Sequence, residues 1–220
     1  MEAQALPHTN HQAPREQAVS APPLDVARLL TTRAADPRGL LEAHVNPAYA
    51  AVLRTIGFDA KYVRGQGAYL FDEGGRRYID CLGGYAVFAG GRNHPVIRDA
   101  LRQAMELDLP SLPGVGTFRL AGLLAEELLK VAPGEFGKVF FASGGGEAVD
   151  AAIKLARAAT GRGRIVYCER AYHGLTMGAL SVTGNREFRE GFGTLVGPTT
   201  EIAFNDLGAW ERELAKGDCA

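Results

Sequence analysis

The 220-residue sequence is short of cysteine, of lysine, of net charge and of long apolar runs. Its three cysteines, Cys81, Cys168 and Cys219, show no CxxC spacing and no clustered histidines beside them, which argues against a disulfide framework or a structural zinc site. A net charge of −1, with both signs interspersed, leaves no electrostatic footprint for nucleic acid or an anionic membrane. The sequence therefore predicts a small-molecule ligand. No apolar run approaches the ~18 residues of a membrane span, and the amino terminus lacks the basic-then-apolar order of a secretory signal. With scattered cysteines, these features predict a cytoplasmic protein. Only five of the 24 basic residues are lysines, Lys61, Lys130, Lys138, Lys154 and Lys216, so any lysine chemistry has few candidates.

A hydrophobic share of 46% against 22% charged residues is enough to build one substantial core. Met1 to Pro23 mix Pro, Gln, His and Ala without hydrophobic period and read as a disordered leader, in which His8 and His11 are solvated rather than metal ligands. Asp25, Asp36-Pro37 and Asn46-Pro47 are three successive helix starts, with Gly57 stopping the third. From Tyr62 the pattern alternates apolar and polar around Gly74-Gly75, as in a β-hairpin or short meander, with Asp72 and Gly75 serving the turn. The segment GGYAVFAGGRNHP that follows is too apolar for a linker and too rich in glycine for a regular strand, and such packed loops often line pockets. Tyr85, Phe88 and His94 lie in it, with ordinary core or turn roles equally open. Pro95 starts a helix through Met105, and another runs from about Phe118 to Val131.

The densest chemistry lies between Lys138 and Gly184. Val139-Phe140-Phe141 read as a strand, Ser143 to Gly146 as a glycine turn, and Val149, Ala152, Ile153 and Ala156 recur at helical spacing. Glycines let the backbone approach a ligand, and the first N–H groups of a helix lack partners within it, so the unit is a ready anion site. A tight connection in any α/β protein reads the same way. No Lys-Ser/Thr pair closes the turn as in a nucleotide P-loop, and the GxGxxG spacing is absent. Arg164 to Cys168 read as a second strand, which makes a βαβ crossover in a mainly parallel sheet and puts the glycine turn and Tyr172-His173 at strand carboxyl ends. A strand at Thr199 to Phe204 and a helix from Leu207 to Lys216 complete the series. The sheet is expected to continue past Ala220, so the sequence reads as the front portion of a longer polypeptide.

These residues resemble the class III (ω-amino-acid) aminotransferases, pyridoxal-phosphate enzymes of fold type I. The resemblance rests on DxxGxxYxD at Asp72–Asp80, GRNHP at Gly91–Pro95, FF…EA at Phe140–Ala148, KLAR…TGR at Lys154–Arg162 and AYHG…GALSVTG at Ala171–Gly184. It implies an α/β fold divided into residues 1–23 as leader, 24–94 as an N-terminal helical and β-hairpin segment, and 95–220 as the first part of a cofactor-binding domain. It implies that Gly145 and Gly146 amides, with Ser143, hold the phosphate of pyridoxal 5'-phosphate, that Tyr172 stacks on its ring, that His173 lines the site and that Tyr85 and Leu175 stand near the substrate. It further implies transfer of an amino group from an amine donor to a 2-oxo acid, and a homodimer. The Schiff-base lysine and the aspartate that pairs with the pyridine nitrogen are expected beyond the equivalent of Ala220.

Two departures stand out. The family usually reads Asn-Ser-Gly-Thr/Ala-Glu-Ala where this sequence has Ser143 to Ala148, so a backbone-dominated cradle is expected, and Gly146→Thr is expected to tighten cofactor binding. Many members carry Arg after the Tyr-His-Gly triplet, where it can pair with a carboxylate; Leu175 stands there instead. That predicts a donor without a carboxylate at this locus, and the putrescine and hopanoid-associated aminotransferases are the subgroups most resembled. Lys154 falls seven residues past Glu147, about 10 Å along the helix at 1.5 Å per residue, and reads as the solvent-exposed partner of Asp150. None of the five lysines matches a catalytic motif, so these 220 residues alone are expected to be inert. An aminomutase or decarboxylase on the same scaffold, a non-catalytic interaction protein, and a generic phosphate or nucleotide binder remain alternatives.

Overall fold

A computed structural model describes residues 24–33, 36–58, 60–110 and 119–220. The leader with His8 and His11, Phe118 and most of the loop before it lie outside the described residues. The fold divides in sequence between Pro110 and Ser111 into two compact units.

In the first unit the three predicted helix starts are real caps. The carboxylate of Asp25 accepts from the Arg28 N–H to start α1 (Val26–Thr32), that of Asp36 accepts from Gly39 to start α2 (Pro37–His44), and the Asn46 amide oxygen accepts from Tyr49 to start α3 (Pro47–Thr55). Such a side-chain oxygen satisfies one of the N–H groups a helix start leaves unpaired, worth about 1 kcal/mol. A left-handed Gly57 ends α3, and an Arg54–Glu42 ion pair of 2.8 Å joins α3 to α2.

The hairpin signal resolves as a three-stranded antiparallel meander, β1 (Tyr62–Gln66), β2 (Tyr69–Asp72) and β3 (Arg77–Ile79). Asp72 fixes the second turn by accepting from the Arg76 N–H and the Tyr78 hydroxyl, each at 2.8 Å. The Tyr78 hydroxyl, then the Arg76 N–H, hold its carboxyl below the usual range. The glycine-rich segment that follows is a run of left-handed residues: Gly83, Gly84, Tyr85 and Ala86 have φ of 54°, 60°, 55° and 72°. For Tyr85 and Ala86 this conformation costs roughly 1–2 kcal/mol each. Asp80 offsets that strain, accepting from the Gly83 N–H at 2.9 Å and from Arg92 Nε at 2.7 Å. The Gly83 amide, then Arg92, hold the Asp80 carboxyl below its ordinary value. Paired backbone bonds between Gly67 and Arg92 return the segment to the meander before α4 (Pro95–Glu106) begins.

The second unit comprises α5 (Arg119–Val131), α6 (Gly145–Thr160), β4 (Ile165–Cys168), α7 (Met177–Ser181), a 3-10 turn (Arg186–Phe188), β5 (Thr199–Ile202) and α8 (Leu207–Leu214). β4 and β5 pair in parallel, Ile165 opposite Thr199 through Cys168 opposite Ile202. The predicted strand at Val139–Phe141 differs. It carries no ladder, because no described strand lies beside it, and Phe140 and Phe141 are left exposed. Among the described residues the parallel crossover thus runs from β4 to β5, with α7 between them in sequence. Residues Asp218 to Ala220 turn back to the opposite edge of β4: the Arg164 N–H donates to the Asp218 carbonyl, and the Ala220 N–H to that of Arg164.

Arg164 fastens this arrangement. Its buried guanidinium donates to the Asp218 carboxylate at 2.6 Å, to Glu213 Oε2 and the Glu213 carbonyl at 2.8 Å, and to Thr200 Oγ1 at 3.1 Å. A buried cation demands this saturation, since an unpaired charge there would be strongly destabilising. The apolar core packs α6 on the sheet through Ile153, Tyr167 and Val182, with Val149 and Ile165 against them.

Candidate functional site

The site is built where α6 begins. Gly144 occupies the N-cap in an extended conformation and has no side chain to cap with. The first helical bond runs from the Ala148 N–H to the Gly144 carbonyl. The N–H groups of Gly145, Gly146 and Glu147 therefore have no partner within the helix. Glu147 reaches back instead and accepts from the Ser143 N–H at 2.9 Å, one residue before the N-cap. Gly144 supplies no hydroxyl that could cap the free amides. What remains is an anion seat of bare amides at the positive end of a 16-residue helix.

The loop after β4 crosses directly over this seat. Gly174 has φ +125°, and a Cβ on it would stand 2.7 Å from the Gly146 Cα. Only glycine allows that approach. A Cβ on Gly146 would in turn meet Thr176 Oγ1 at 3.1 Å and Cγ2 at 3.3 Å. This alters the expectation for Gly146→Thr: Thr176 already stands where the added side chain would go, so the substitution must displace it.

The loop is held from behind by groups that the sequence pattern does not single out. Thr183, fully buried, accepts from the His173 N–H at 3.2 Å, and its hydroxyl lies 3.1 Å from the Gly174 carbonyl and 3.0 Å from that of Ala179. Asp150, on α6, accepts from the Ala179 N–H at 2.6 Å and so caps α7 across 29 residues of sequence. Thr176, the N-cap of α7, makes no side-chain cap bond of its own. The sequence reading pairs Asp150 with Lys154; the structure instead commits Asp150 to α7, while Lys154 is exposed and no ion pair joins the two. The preferred partner is a backbone donor with no alternative acceptor, which a flexible exposed lysine does not match.

Each expected residue can now be placed. Ser143, Gly145 and Gly146 form the turn and first helical positions. Tyr172 is 59% exposed, its ring edge-to-face with Phe188 at 5.5 Å, which leaves it free to receive a flat group. His173 lines a cavity of about 740 Å³ together with Val149, Tyr167, Val182 and Trp210. Within that cavity, burial pushes the Tyr167 phenol up, against the opposing effect of Arg189, which donates to its oxygen at 2.6 Å. Leu175 is exposed next to Gly174. Tyr85 belongs to the first unit, has a left-handed backbone and is 86% exposed. Among the described residues no cluster of His, Cys, Asp and Glu could hold a metal ion, and no helix is long and apolar enough to cross a membrane.

Comparisons with known proteins identify the family. The profile of the family described as aminotransferase class-III matches residues 52–219. The aminotransferase PigE of a Serratia species is 37% identical over 175 residues, which cover 79% of this chain and 20% of that protein. A solved taurine:2-oxoglutarate aminotransferase from Bifidobacterium kashiwanohense, in complex with PLP and glutamate, superposes with a TM-score of 0.60 at 30% identity, covering 68% of this chain and 34% of that one. The ornithine aminotransferase of Toxoplasma gondii superposes with a TM-score of 0.68 over 86% of this chain and 47% of its own, at 22% identity, a likeness of fold. The chain thus spans less than half the length of each of these proteins. The family profile, the aminotransferase relative and the shared fold together make the chain a member of the class-III aminotransferases.

Proposed function

We propose that these residues supply the phosphate seat and one ring-stacking wall of a pyridoxal 5'-phosphate site in a protein that transfers an amino group from an amine donor to a 2-oxo acid. The observation that carries this reading is the uncapped start of α6, with three free N–H groups under the Gly174 loop. The residues fit the group: a phosphate carries close to two negative charges at neutral pH and three acceptor oxygens, matched to amides at a helix start. Gly145, Gly146 and Ser143 would hold the phosphate, Tyr172 would stack on the ring at a gain of about 1 kcal/mol, and His173 would line the site. When bound, the cofactor supplies the electron sink for transamination; the protein supplies orientation and charge control.

The chemistry also requires a lysine that bonds to the cofactor and moves the proton, and an aspartate facing the pyridine nitrogen. No lysine in the sequence matches that role. Lys130 and Lys216 are engaged with Glu127 and Glu213 at 2.6 and 2.7 Å, Lys61 pairs with Glu73, and Lys138 and Lys154 are exposed. The 220 residues alone are accordingly read as inert, with catalysis belonging to a larger homodimeric protein. Leu175, exposed where an arginine fork would recognise a carboxylate, favours a donor whose skeleton is uncharged or cationic at that locus, such as a diamine. A small-molecule site of this kind needs neither nucleic acid nor membrane, and a cytoplasmic location suits it.

The test is to incubate the chain with pyridoxal phosphate, reduce with borohydride and map adducts by mass spectrometry. Reversible binding without a stoichiometric lysine adduct is expected. A stoichiometric adduct on Lys154 would overturn the assignment of these residues as inert.

A further inference from the structure

Tyr172 touches a second aromatic ring. Phe188, the last residue of the 3-10 turn, lies edge-to-face with it, the ring centroids 5.5 Å apart and the planes at 71°. Among the described residues the Tyr172 hydroxyl makes no hydrogen bond. The χ2 torsion of a tyrosine is broad, and more than half of Tyr172 is exposed, so neither rotamer preference nor enclosure fixes the plane of its ring. The contact with Phe188 is what sets it.

Phe188 can do this only if it is itself fixed, and its segment is tied at both ends. Upstream, the Gly184 N–H donates to the Ala171 carbonyl at 2.7 Å, directly before Tyr172. A Cβ on Gly184 would run into the Arg170 nitrogen and stand 2.7 Å from the Cys168 carbonyl oxygen, so the two stretches of backbone lie against each other. Downstream, Arg189 donates to the Tyr167 hydroxyl at 2.6 Å, its guanidinium carbon 5.7 Å from the ring centroid. Tyr167 belongs to β4 and is buried with Ile153 and Val182 in the core. Between these anchors the turn closes on itself, the Arg189 and Glu190 N–H groups both donating to the Arg186 carbonyl, at 2.8 and 3.1 Å. Tyr172 leaves β4 and Phe188 is tied back to it, so both rings are referenced to one strand.

We propose that Phe188 is a positioning residue of the cofactor site, fixing the plane of Tyr172 so that its ring is preorganised to stack on the pyridine ring. The proposal rests on the reading of Tyr172 as the ring-stacking wall. A ring already held in its stacking orientation has little freedom left to lose when the ligand arrives, so the gain from stacking is realised in full. Phe188 acts through Tyr172, and its loss should be felt by a ligand that carries a ring and not by phosphate alone.

The test compares pyridoxal phosphate with inorganic phosphate, each titrated into the chain and followed at the amide resonances of Gly145, Gly146 and Glu147. Phe188→Leu keeps an apolar side chain and removes the ring. It should weaken pyridoxal phosphate binding about threefold and leave inorganic phosphate unchanged, against about fivefold for pyridoxal phosphate in Tyr172→Ala, which removes the stacking contact outright. Phe188→Tyr keeps the ring and should bind both probes as the wild type does. In Phe188→Leu, equal losses for both probes would mean a merely structural role and no loss for either would mean no role; each overturns the proposal. A selective loss in Tyr172→Ala with none in Phe188→Leu overturns the positioning role alone. If Tyr172→Ala does not separate the probes, or the wild-type amides answer neither, the proposed cofactor site fails and this proposal with it. In the wild-type chain, proton cross-relaxation between the two rings should persist with pyridoxal phosphate bound, and its loss on binding would overturn the proposal without recourse to any variant.

Discussion

Gly174 rests on Gly146 so closely that a Cβ on Gly174 would stand 2.7 Å from the Gly146 Cα and 3.3 Å from its nitrogen. This approach ties the loop that carries Tyr172 and His173 to the start of α6. It makes one site of two segments nearly 30 residues apart.

Gly174→Ala meets two obstacles at once, a φ of +125° and the Gly146 backbone. It should destabilise the chain by roughly 1–3 kcal/mol, as strained non-glycine conformations do. Urea denaturation measures this, and hydrogen exchange at Gly145 and Gly146 should speed up if the loop lifts. An unchanged midpoint would mean that the loop is not held against α6.

Gly146 and Thr176 should be coupled. Gly146→Thr forces Thr176 to move by a few tenths of an ångström or more, so it should destabilise the loop and weaken phosphate binding rather than tighten it. In a Thr176→Ala background the penalty should shrink by about 0.5–2 kcal/mol, in the range for residues in contact. Additive effects would contradict the contact.

Asp150→Ala removes the carboxylate that caps α7 and should cost about 1 kcal/mol, whereas Asp150→Asn keeps an acceptor oxygen and should retain most of the stability. The Ala179 amide reports the difference through its exchange rate. Lys154→Ala should leave that amide unchanged, since Lys154 has no part in the cap.

Much of this was legible from local chemistry. Asp25, Asp36 and Asn46 announce their helices because a cap is decided within three residues, and each accepts the bond its position implies. The glycine turn announces α6 for the same reason. Asp150 does not announce α7, because its partner lies 29 residues away and the adjacent Lys154 offers a plausible local alternative. Thr176 carries a weak signal as a possible N-cap before Met177, but its packing against Gly146 is a tertiary fact. Val139–Phe141 have strand composition and no ladder, because strand propensity expresses itself only where a neighbour supplies hydrogen bonds.

Acid should weaken both units for related reasons. Asp72, Asp80 and Asp218 have carboxyls held below their usual values, by the Tyr78 hydroxyl, the Gly83 amide and the Arg164 guanidinium in turn. A carboxyl whose folded value is depressed contributes stability that is present above its unfolded value and lost as pH falls through the folded one. Stability should therefore hold from neutrality to about pH 4 and decline below it. Asp218→Asn should flatten that decline in urea denaturation series, and an unaltered acid slope would contradict the role of the Arg164–Asp218 pair.

The most direct measurement of the proposed seat is an amide NMR titration of the chain with pyridoxal phosphate and, in parallel, with pyridoxal. The amides of Gly145, Gly146 and Glu147 should move saturably with the phosphorylated compound and stay in place with pyridoxal, and Gly174→Ala should abolish the response. Equal shifts with both compounds, or none at these three amides, would contradict a phosphate seat at the start of α6.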